Sequence, residues 1–234
     1  MECNRFLIGL AGLPKVRDIL LKSHESSLRL FEELDLRPLS KQEINGVIDL
    51  GIKEANEKNP TQTTIAPEAR VALADLSEGL PHFIQQFCFS AFERDKDGVI
   101  TGEDVLESAF GRGGALDLIG DRYYRDTFYN RIGKESYRQV LRIMAGSKSP
   151  WVTKDEIRKS FKGSATILDN AIHVLIIRNI IVPKEGEKGI YRLLHRGFAY
   201  WIRLYTTNPE EVKQLSLGQT NLNEPEEAAS VSER

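Results

Sequence analysis

Cysteine is scarce in this chain, and long apolar runs are missing from it. The 234 residues include two cysteines, Cys3 and Cys88, which are too few for a disulfide framework and which make a metal site equally unexpected. No apolar run approaches the ~20 residues that span a bilayer. The opening apolar stretch is short and flanked by charge, unlike a signal peptide. These absences predict a cytoplasmic protein with no metal site and no membrane partner.

The small net charge of −2 hides an uneven distribution of charge along the chain. Residues 1–120 carry 13 basic and 20 acidic side chains, a balance of −7. Residues 121–205 carry 17 basic and 8 acidic side chains, a balance of +9, and residues 206–234 carry 2 and 6, a balance of −4. A basic block between acidic neighbours is typical of a nucleic-acid-binding domain. The alternative explanation is an ordinary solvated helical surface.

The first apolar segment, Arg5–Leu10, is a continuous run that Gly12 and Pro14 bring to an end. Such a run predicts a buried strand entering a loop. We recognise no partner strands for it among residues 11–100, so the rest of a parallel sheet is expected upstream of this chain.

Residues 37–116 have the periodicity of a helical domain. Ser40 with Glu43 predicts a capping box at one helix start, and Thr101 with Asp104 caps another. Further predicted elements are a polar loop at 56–64, helices at about 67–76 and 83–89 with a break at 77–81, and a glycine-rich domain boundary at 111–120.

Residues 121–205 predict a different order of elements. One long amphipathic helix is expected from about Tyr124 to Met144, and Thr153 with Glu156 in the first turn begins a later one. The remaining elements are an extended piece at 149–152, a turn at 162–164, a helix at about 165–178, and strands at 180–183 and 190–194 joined by a turn at 185–189. This order predicts a winged helix-turn-helix. Residues 206–234, which have few apolar anchors, predict a disordered acidic tail.

Several segments, taken in order, resemble the C-terminal parts of AAA+ ATPases. Residues 6–15 resemble the strand and loop around sensor 1, residues 27–31 and 36–40 look like the passage into the helical lid, residues 65–69 and 76–84 resemble the sensor 2 region, and residues 99–105 are similar to the last lid helix. With the winged helix behind them, residues 5–205 resemble the archaeal origin-recognition initiator ATPases and related bacterial ATP-binding proteins.

The resemblance implies a mainly α fold. It implies a remnant of the nucleotide-binding domain at 1–36, a helical lid at 37–116, a winged helix at 121–205 and the tail at 206–234. It also implies double-stranded DNA as the partner of the winged helix, with other AAA+ subunits as further partners.

The nucleotide site of that family has no counterpart in the sequence. No Gly-x-x-x-x-Gly-Lys-Ser/Thr motif occurs, and the glycine-rich residues 111–114 lack the lysine and a preceding strand. We also find no apolar strand ending in paired acids that would hold magnesium. We therefore expect a fragment or truncated gene product without ATPase activity of its own, in which ATP and magnesium belong only to a full-length family member.

Two residues take possible nucleotide roles from the resemblance alone. Arg29 lies where an arginine finger could act on the γ-phosphate of a neighbouring subunit, although an exposed arginine at a helix end is the simpler explanation. His82 lies near the usual position of the sensor 2 arginine. Because histidine is mostly neutral at pH 7 and has no guanidinium fork, this difference weakens a nucleotide-sensing role.

The stretch from Glu93 to Asp104 imitates an EF-hand loop. Oxygen-bearing side chains stand at positions 1, 3 and 5 with Gly98 at position 6. Position 1 is Glu93, however, position 12 is the short Asp104, and a paired EF-hand is not recognisable. We therefore favour a turn between two helices over a calcium site.

In a helix-turn-helix, the early residues of the second helix face the base edges in the major groove. Here these residues are Ser164, Thr166, Asp169, Asn170 and His173. Asn170 is suited to adenine, whereas Asp169 would repel phosphates or accept a hydrogen bond from cytosine. The side chains predicted to pack inward are Ile167, Leu168, Ile172, Leu175 and Ile176.

The positive charge lies around the second helix rather than on it. The flanking cations are Lys154, Arg158, Lys159, Lys162, Arg178, Lys184, Lys188 and Arg192. This distribution predicts phosphate contacts from the flanks and the wing, with modest sequence selectivity. The candidate DNA-binding residues are thus Lys159, Lys162, Ser164, Thr166, Asn170, His173, Arg178, Lys184, Lys188 and Arg192.

Three functional hypotheses follow from the sequence. The first is an initiator-like or transposition-like AAA+ protein that binds duplex DNA through residues 121–205. The second is a protein-interaction module that assembles with intact ATPase subunits, because the winged-helix fold does not fix the function. The third is a metal-free repressor with a helical effector domain. A self-contained enzyme is not expected, since no nucleophile with its base is recognisable.

Overall fold

The computed structural model describes residues 9–10, 12, 15–23, 32, 34 and 36–206. The chain divides into two compact units, Met1–Arg37 and Pro38–Arg234. The described part is mainly helical, as the sequence predicts. Most of the predicted first strand, the candidate arginine finger Arg29 and the predicted tail beyond Thr206 lie outside the described residues.

In the first unit, helix α1 spans Lys15–Ser23, and the hydroxyl of Ser23 donates to the carbonyl of Leu20 near its end. In the second unit, helix α2 spans Lys41–Lys58 and begins with the predicted capping box of Ser40 and Glu43. The α2 side chains of Ile44 and Ile48 are buried.

Two helices and two very short strands follow α2. Strand β1 (Thr64–Ile65) leads into helix α3 (Pro67–Ser77), and helix α4 (Pro81–Arg94) leads into strand β2 (Val99–Ile100). The two strands pair in parallel, with Thr64 opposite Val99 and Ile65 opposite Ile100. The predicted break between α3 and α4 is present, and Gly79 turns there with a φ of +75°. The sequence did not predict β1 and β2, because two residues are too few for an alternating pattern.

Helix α5 (Gly102–Phe110) begins with the predicted Thr101–Asp104 cap. The glycine-rich turn after it is held by hydrogen bonds from Gly111 N to the carbonyl of Glu107 and from Gly114 N to the carbonyl of Gly111. Helix α6 then spans Ala115–Ile119. The predicted domain boundary at 111–120 therefore includes a helix, in which Leu116 and Ile119 are buried.

The prediction of one long helix from Tyr124 to Met144 is also wrong. After α6 the helical path continues through two π-helical turns, Gly120–Tyr124 and Thr127–Arg131, and then stops. Gly133, with a φ of +74°, reverses the chain before helix α7 (Glu135–Gly146). The apolar periodicity runs across this break because both helices bury one face against the same core.

The rest of the second unit combines three helices with an antiparallel sheet. Strand β3 (Val152–Thr153), helix α8 (Lys154–Ser160), helix α9 (Ala165–Ile177), strands β4 (Ile181–Pro183) and β5 (Ile190–Leu193), and helix α10 (Arg196–Tyr205) follow in that order. The strand order in the sheet is β3-β5-β4. Thr153 caps α8 with Glu156, as predicted. Thr206, the first residue of the predicted tail, is buried and donates to the carbonyl of Ile202.

Residues 37–116 and 121–205 pack against each other. The rings of Phe83 and Tyr124 meet edge to face at 6.1 Å, and Gly197 N donates to Glu78 Oε1 over 3.1 Å. Trp201, which is almost fully buried, contacts the rings of both Tyr124 and Phe128. One continuous apolar core thus connects the two segments. In the described residues, no helix is both long and apolar enough to cross a membrane.

Candidate nucleic-acid interface

The turn between α8 and α9 is closely held. Arg158 Nη1 donates to the carbonyl of Gly163, and Ser164 Oγ accepts from Ile167 N over 3.3 Å at the start of α9. A Cβ on Gly163 would lie 2.7 Å from Cε1 of the Phe161 ring, so the turn has no room for a side chain there.

Helix α9 buries one face and exposes the other. Leu168, Ala171, Ile172 and Leu175 are buried. Thr166, Asn170 and His173, at a spacing of four and three residues, are exposed on the opposite side. We call these three residues the outer face of α9; they are among the candidate DNA-binding residues.

One residue of α9 is exposed where the sequence predicted that it is buried. Ile167 was expected to pack inward, but 48% of its surface is exposed, at the edge of the outer face. The sequence could not assign it, because apolar residues of α9 occur on several sides of the helix and blur the helical period. Ile176 is half-buried, and the other predicted inward residues are buried.

Asp169, beside the outer face, has an internal partner. Its Oδ1 lies 2.5 Å from Lys154 Nζ at the start of α8. The hydrogen bond to Asp169 raises the pKa of the Lys154 ammonium, and both groups are substantially exposed. The ion pair therefore offsets the negative charge that the sequence placed next to the outer face, and it takes up one carboxylate oxygen.

Asn170 and Arg178 both make contacts within the protein. Asn170 Nδ2 donates to Tyr137 Oη of α7 over 3.3 Å, and Tyr137 is buried. Arg178 Nη1 donates to the carbonyls of Arg131 and Ile132, at the end of the second π-helical turn. Arg178, a candidate for DNA binding, is thus directed at the protein backbone, where it satisfies carbonyls that a helix end leaves open.

The β4–β5 hairpin carries the cations predicted for the wing, and two of them are engaged. Lys184 Nζ lies 2.5 Å from Glu187 Oε1, and Arg192 Nη1 donates to the carbonyls of Leu193 and Leu194. Both cations also lie over the indole of Trp151, at 6.0 and 5.3 Å from its ring centroid.

Trp151 is not among the residues that the sequence predicts for the interface. It comes next to Lys184 and Arg192 only through the pairing of β3, β5 and β4, and that register is not readable from the single strands.

Three further lysines of the predicted interface form no hydrogen bond, salt bridge or cation–π contact in the part of the chain that the structure describes. Lys159 lies in the last turn of α8, Lys162 lies in the turn before α9, and Lys188 lies at the tip of the hairpin; all three are exposed. Flexible ammonium groups around a neutral polar helix face can contact phosphates on both sides of a groove. These lysines are therefore the strongest phosphate-contact candidates.

His82, the candidate for nucleotide sensing, lies in an aromatic contact. Its ring meets Tyr123 edge to face at 5.1 Å and Phe83 at 6.3 Å. It is half-buried at the junction of α4 with the first π-helical turn. This position gives His82 a packing role between residues 37–116 and 121–205.

In the EF-hand-like stretch, the carboxylates of Asp95, Asp97 and Asp104 accept hydrogen bonds from residues of the same stretch. Asp95 Oδ1 accepts from Asp97 N and Gly98 N, and Asp97 Oδ1 accepts from Val99 N over 3.0 Å. Asp104 accepts from the backbone and hydroxyl of Thr101, and these bonds lower the pKa of its carboxyl. Among the described residues no group of three or more metal-ligating side chains is formed. The turn-and-cap interpretation accounts for these contacts.

In comparisons with known proteins, no family model, no curated protein and no solved structure matches the chain.

Proposed function

We propose that residues 121–205 form a winged helix that binds double-stranded DNA, in a protein resembling the C-terminal parts of AAA+ initiator ATPases and having no ATPase activity of its own. The observation that carries the proposal is the outer face of α9, on which Thr166, Asn170 and His173 are exposed. The elements next to α9 in the chain add three exposed lysines, Lys159, Lys162 and Lys188. In this proposal α8 and α9 are the helix-turn-helix, and the β4–β5 hairpin is the wing.

The charge of residues 121–205 favours a nucleic-acid partner over a disordered acidic protein. The balance of +9 over residues 121–205 includes cations that hold the fold together, such as Arg158 and Arg178. The exposed lysines belong to the end of α8, to the turn before α9 and to the hairpin after it. A duplex presents phosphates on both sides of its major groove, which matches this arrangement.

A salt series tests the proposal. We expect the affinity of the chain for labelled duplex DNA to fall steeply with salt, because phosphate contacts release counterions. The triple variant Lys159→Ala, Lys162→Ala and Lys188→Ala should bind more weakly, with a slope of log K against log salt that is shallower by about 2 to 3.

The matched control changes three exposed lysines of residues 37–116, Lys41, Lys53 and Lys96, to alanine. It lowers the net charge by the same amount but should keep the slope of the wild-type chain. Equal slopes for the two triple variants would show a general charge effect and overturn the assignment to α8, α9 and the hairpin.

A second candidate function is assembly with intact AAA+ subunits, and an apolar groove favours it. The groove between α2 and α4 has a volume of about 470 Å³ and includes Ile52, Phe89 and Phe92, with Phe89 59% exposed. Burial raises the pKa of the Cys88 thiol in its wall to about 12, so this cysteine stays neutral. Exposed apolar surface of this kind marks many protein-binding sites.

Co-sedimentation with an intact AAA+ subunit from the same cells distinguishes the two functions. If the groove mediates assembly, Phe89→Glu abolishes co-sedimentation and leaves DNA binding at the wild-type level. If the Phe89→Glu variant still co-sedimented with the subunit, the groove would not be the site of assembly.

A further inference from the structure

We infer that the start of α9 selects A·T base pairs, with Ile167 packing on the 5-methyl group of a thymine and Asn170 hydrogen-bonding to an adenine. This inference rests on the DNA-binding function proposed above and adds the kind of base pair that the helix prefers. It depends on the exposed position of Ile167, which the sequence alone placed in the core.

Ile167 and Asn170 are neighbours on the surface of α9. They are three residues apart, a spacing that brings two side chains of a helix about 5–6 Å apart at their Cβ atoms. Ile167 is the third residue of α9 and is 48% exposed, so its methyl groups extend from the end of the helix that a helix-turn-helix brings to the bases. In the major groove the thymine methyl is the one apolar group on a base edge.

Asn170 has the groups that adenine requires. A bidentate contact uses the amide oxygen to accept from adenine N6 and one amide N–H to donate to N7. The other N–H of Asn170 donates to Tyr137 Oη at 3.3 Å. Because Tyr137 is 5% exposed, this bond fixes the amide plane from the protein side while the remaining donor and acceptor stay available.

The same helix is poorly suited to a G·C pair. Its sequence from Ala165 to Ile177 contains no lysine or arginine, which are the usual partners of the two guanine acceptors. Asp169, the residue that could accept from cytosine N4, lies 2.5 Å from Lys154. This ion pair takes up one of the two carboxylate oxygens of Asp169 and so competes with a contact to cytosine.

Replacing thymine by uracil tests the inference without changing the protein. Uracil keeps the hydrogen-bonding groups and phosphates of thymine and removes the 5-methyl group. The probes are short labelled duplexes of mixed A·T sequence without A-tracts, the same duplexes with uracil in place of thymine, and G·C duplexes of equal length. We expect the full chain to bind the thymine duplex about fourfold more tightly than the uracil duplex for each methyl in contact.

Two variants assign the effect to one side chain. Ile167→Ala should bring the thymine-to-uracil affinity ratio close to one, and alanine at an exposed helical position favours folding. The control Ile177→Ala changes another exposed isoleucine of α9, 59% exposed and about 15 Å further along the helix axis. It should keep the wild-type ratio.

The outcomes separate this inference from the function on which it rests. Absence of salt-dependent binding to every duplex would overturn DNA binding itself. Binding with equal affinity for the thymine and uracil duplexes would leave DNA binding standing and overturn the thymine contact. A thymine preference that persists in Ile167→Ala would remove Ile167 from the contact.

Discussion

Gly120 shows how one residue without a side chain permits the central packing of the second unit. A Cβ placed on it would lie 2.0 Å from Nε1 and 2.2 Å from Cδ1 of Trp201. Trp201 is 1% exposed and stacks near Phe198 with ring centroids 6.2 Å apart. The indole is thus closed in on several sides, and it has little freedom to move away from a new methyl group.

We expect Gly120→Ala to lower the free energy of unfolding by about 1–3 kcal/mol, the usual cost of overpacking a core. The matched control is Gly46→Ala in α2, where the added Cβ meets nothing within 4 Å. It should raise the free energy of unfolding by up to about 1 kcal/mol through helix propensity. Urea denaturation followed by circular dichroism measures both changes. A Gly120→Ala protein as stable as the wild type would contradict the packing described for Trp201.

At the scale of elements, the sequence predicted helix starts better than helix lengths. Ser40, Thr101 and Thr153 each cap a helix where expected, because a capping box depends on residues three apart in the chain. The break at Gly133 was not predicted, since a continuous apolar period masks a turn within it. The strands β1 and β2 depend on a pairing 35 residues apart in sequence, Thr64 with Val99, which no local pattern reveals.

The candidate site shows the same limit. The caps and turns placed Thr166, Asn170 and His173 on one exposed helix, because their spacing is local. The partners of Lys154, Arg178 and Arg192 depend on which elements pack together, so the sequence counted all of these cations as available.

The stability of the protein should depend on pH through His195, the residue that precedes helix α10. Burial is the main cause that lowers the pKa of His195 below its usual value, and Glu78 acts in the opposite direction. The folded state therefore favours the neutral imidazole. The stabilising effect of the neutral His195 imidazole is complete above the pKa of about 6.5 that histidine has in the unfolded chain. It is lost as the pH falls, because the unfolded chain binds the proton more readily than the folded protein does.

We expect the free energy of unfolding to fall between about pH 7.5 and about pH 5.5, and to fall less in His195→Gln, whose side chain does not titrate. Urea denaturation at the two pH values measures the difference. An equal fall in both proteins would mean that His195 is not held neutral by the fold.

At the scale of the whole molecule, the packing of residues 37–116 against 121–205 links the two candidate surfaces. Glu78 holds the start of α10, and Phe83 of α4 contacts Tyr124, so the groove between α2 and α4 and the outer face of α9 belong to one compact unit. A protein bound in the groove and a duplex bound at α9 would therefore be held at a fixed distance and orientation.

Hydrogen exchange of the full chain, with and without saturating duplex DNA, tests whether α8, α9 and the β4–β5 hairpin bind the duplex. We expect slower amide exchange on DNA binding in α8, the first turns of α9 and the β4–β5 hairpin, with α2 and α4 unchanged. Protection confined to the groove between α2 and α4, or no protection anywhere in the chain, would contradict it.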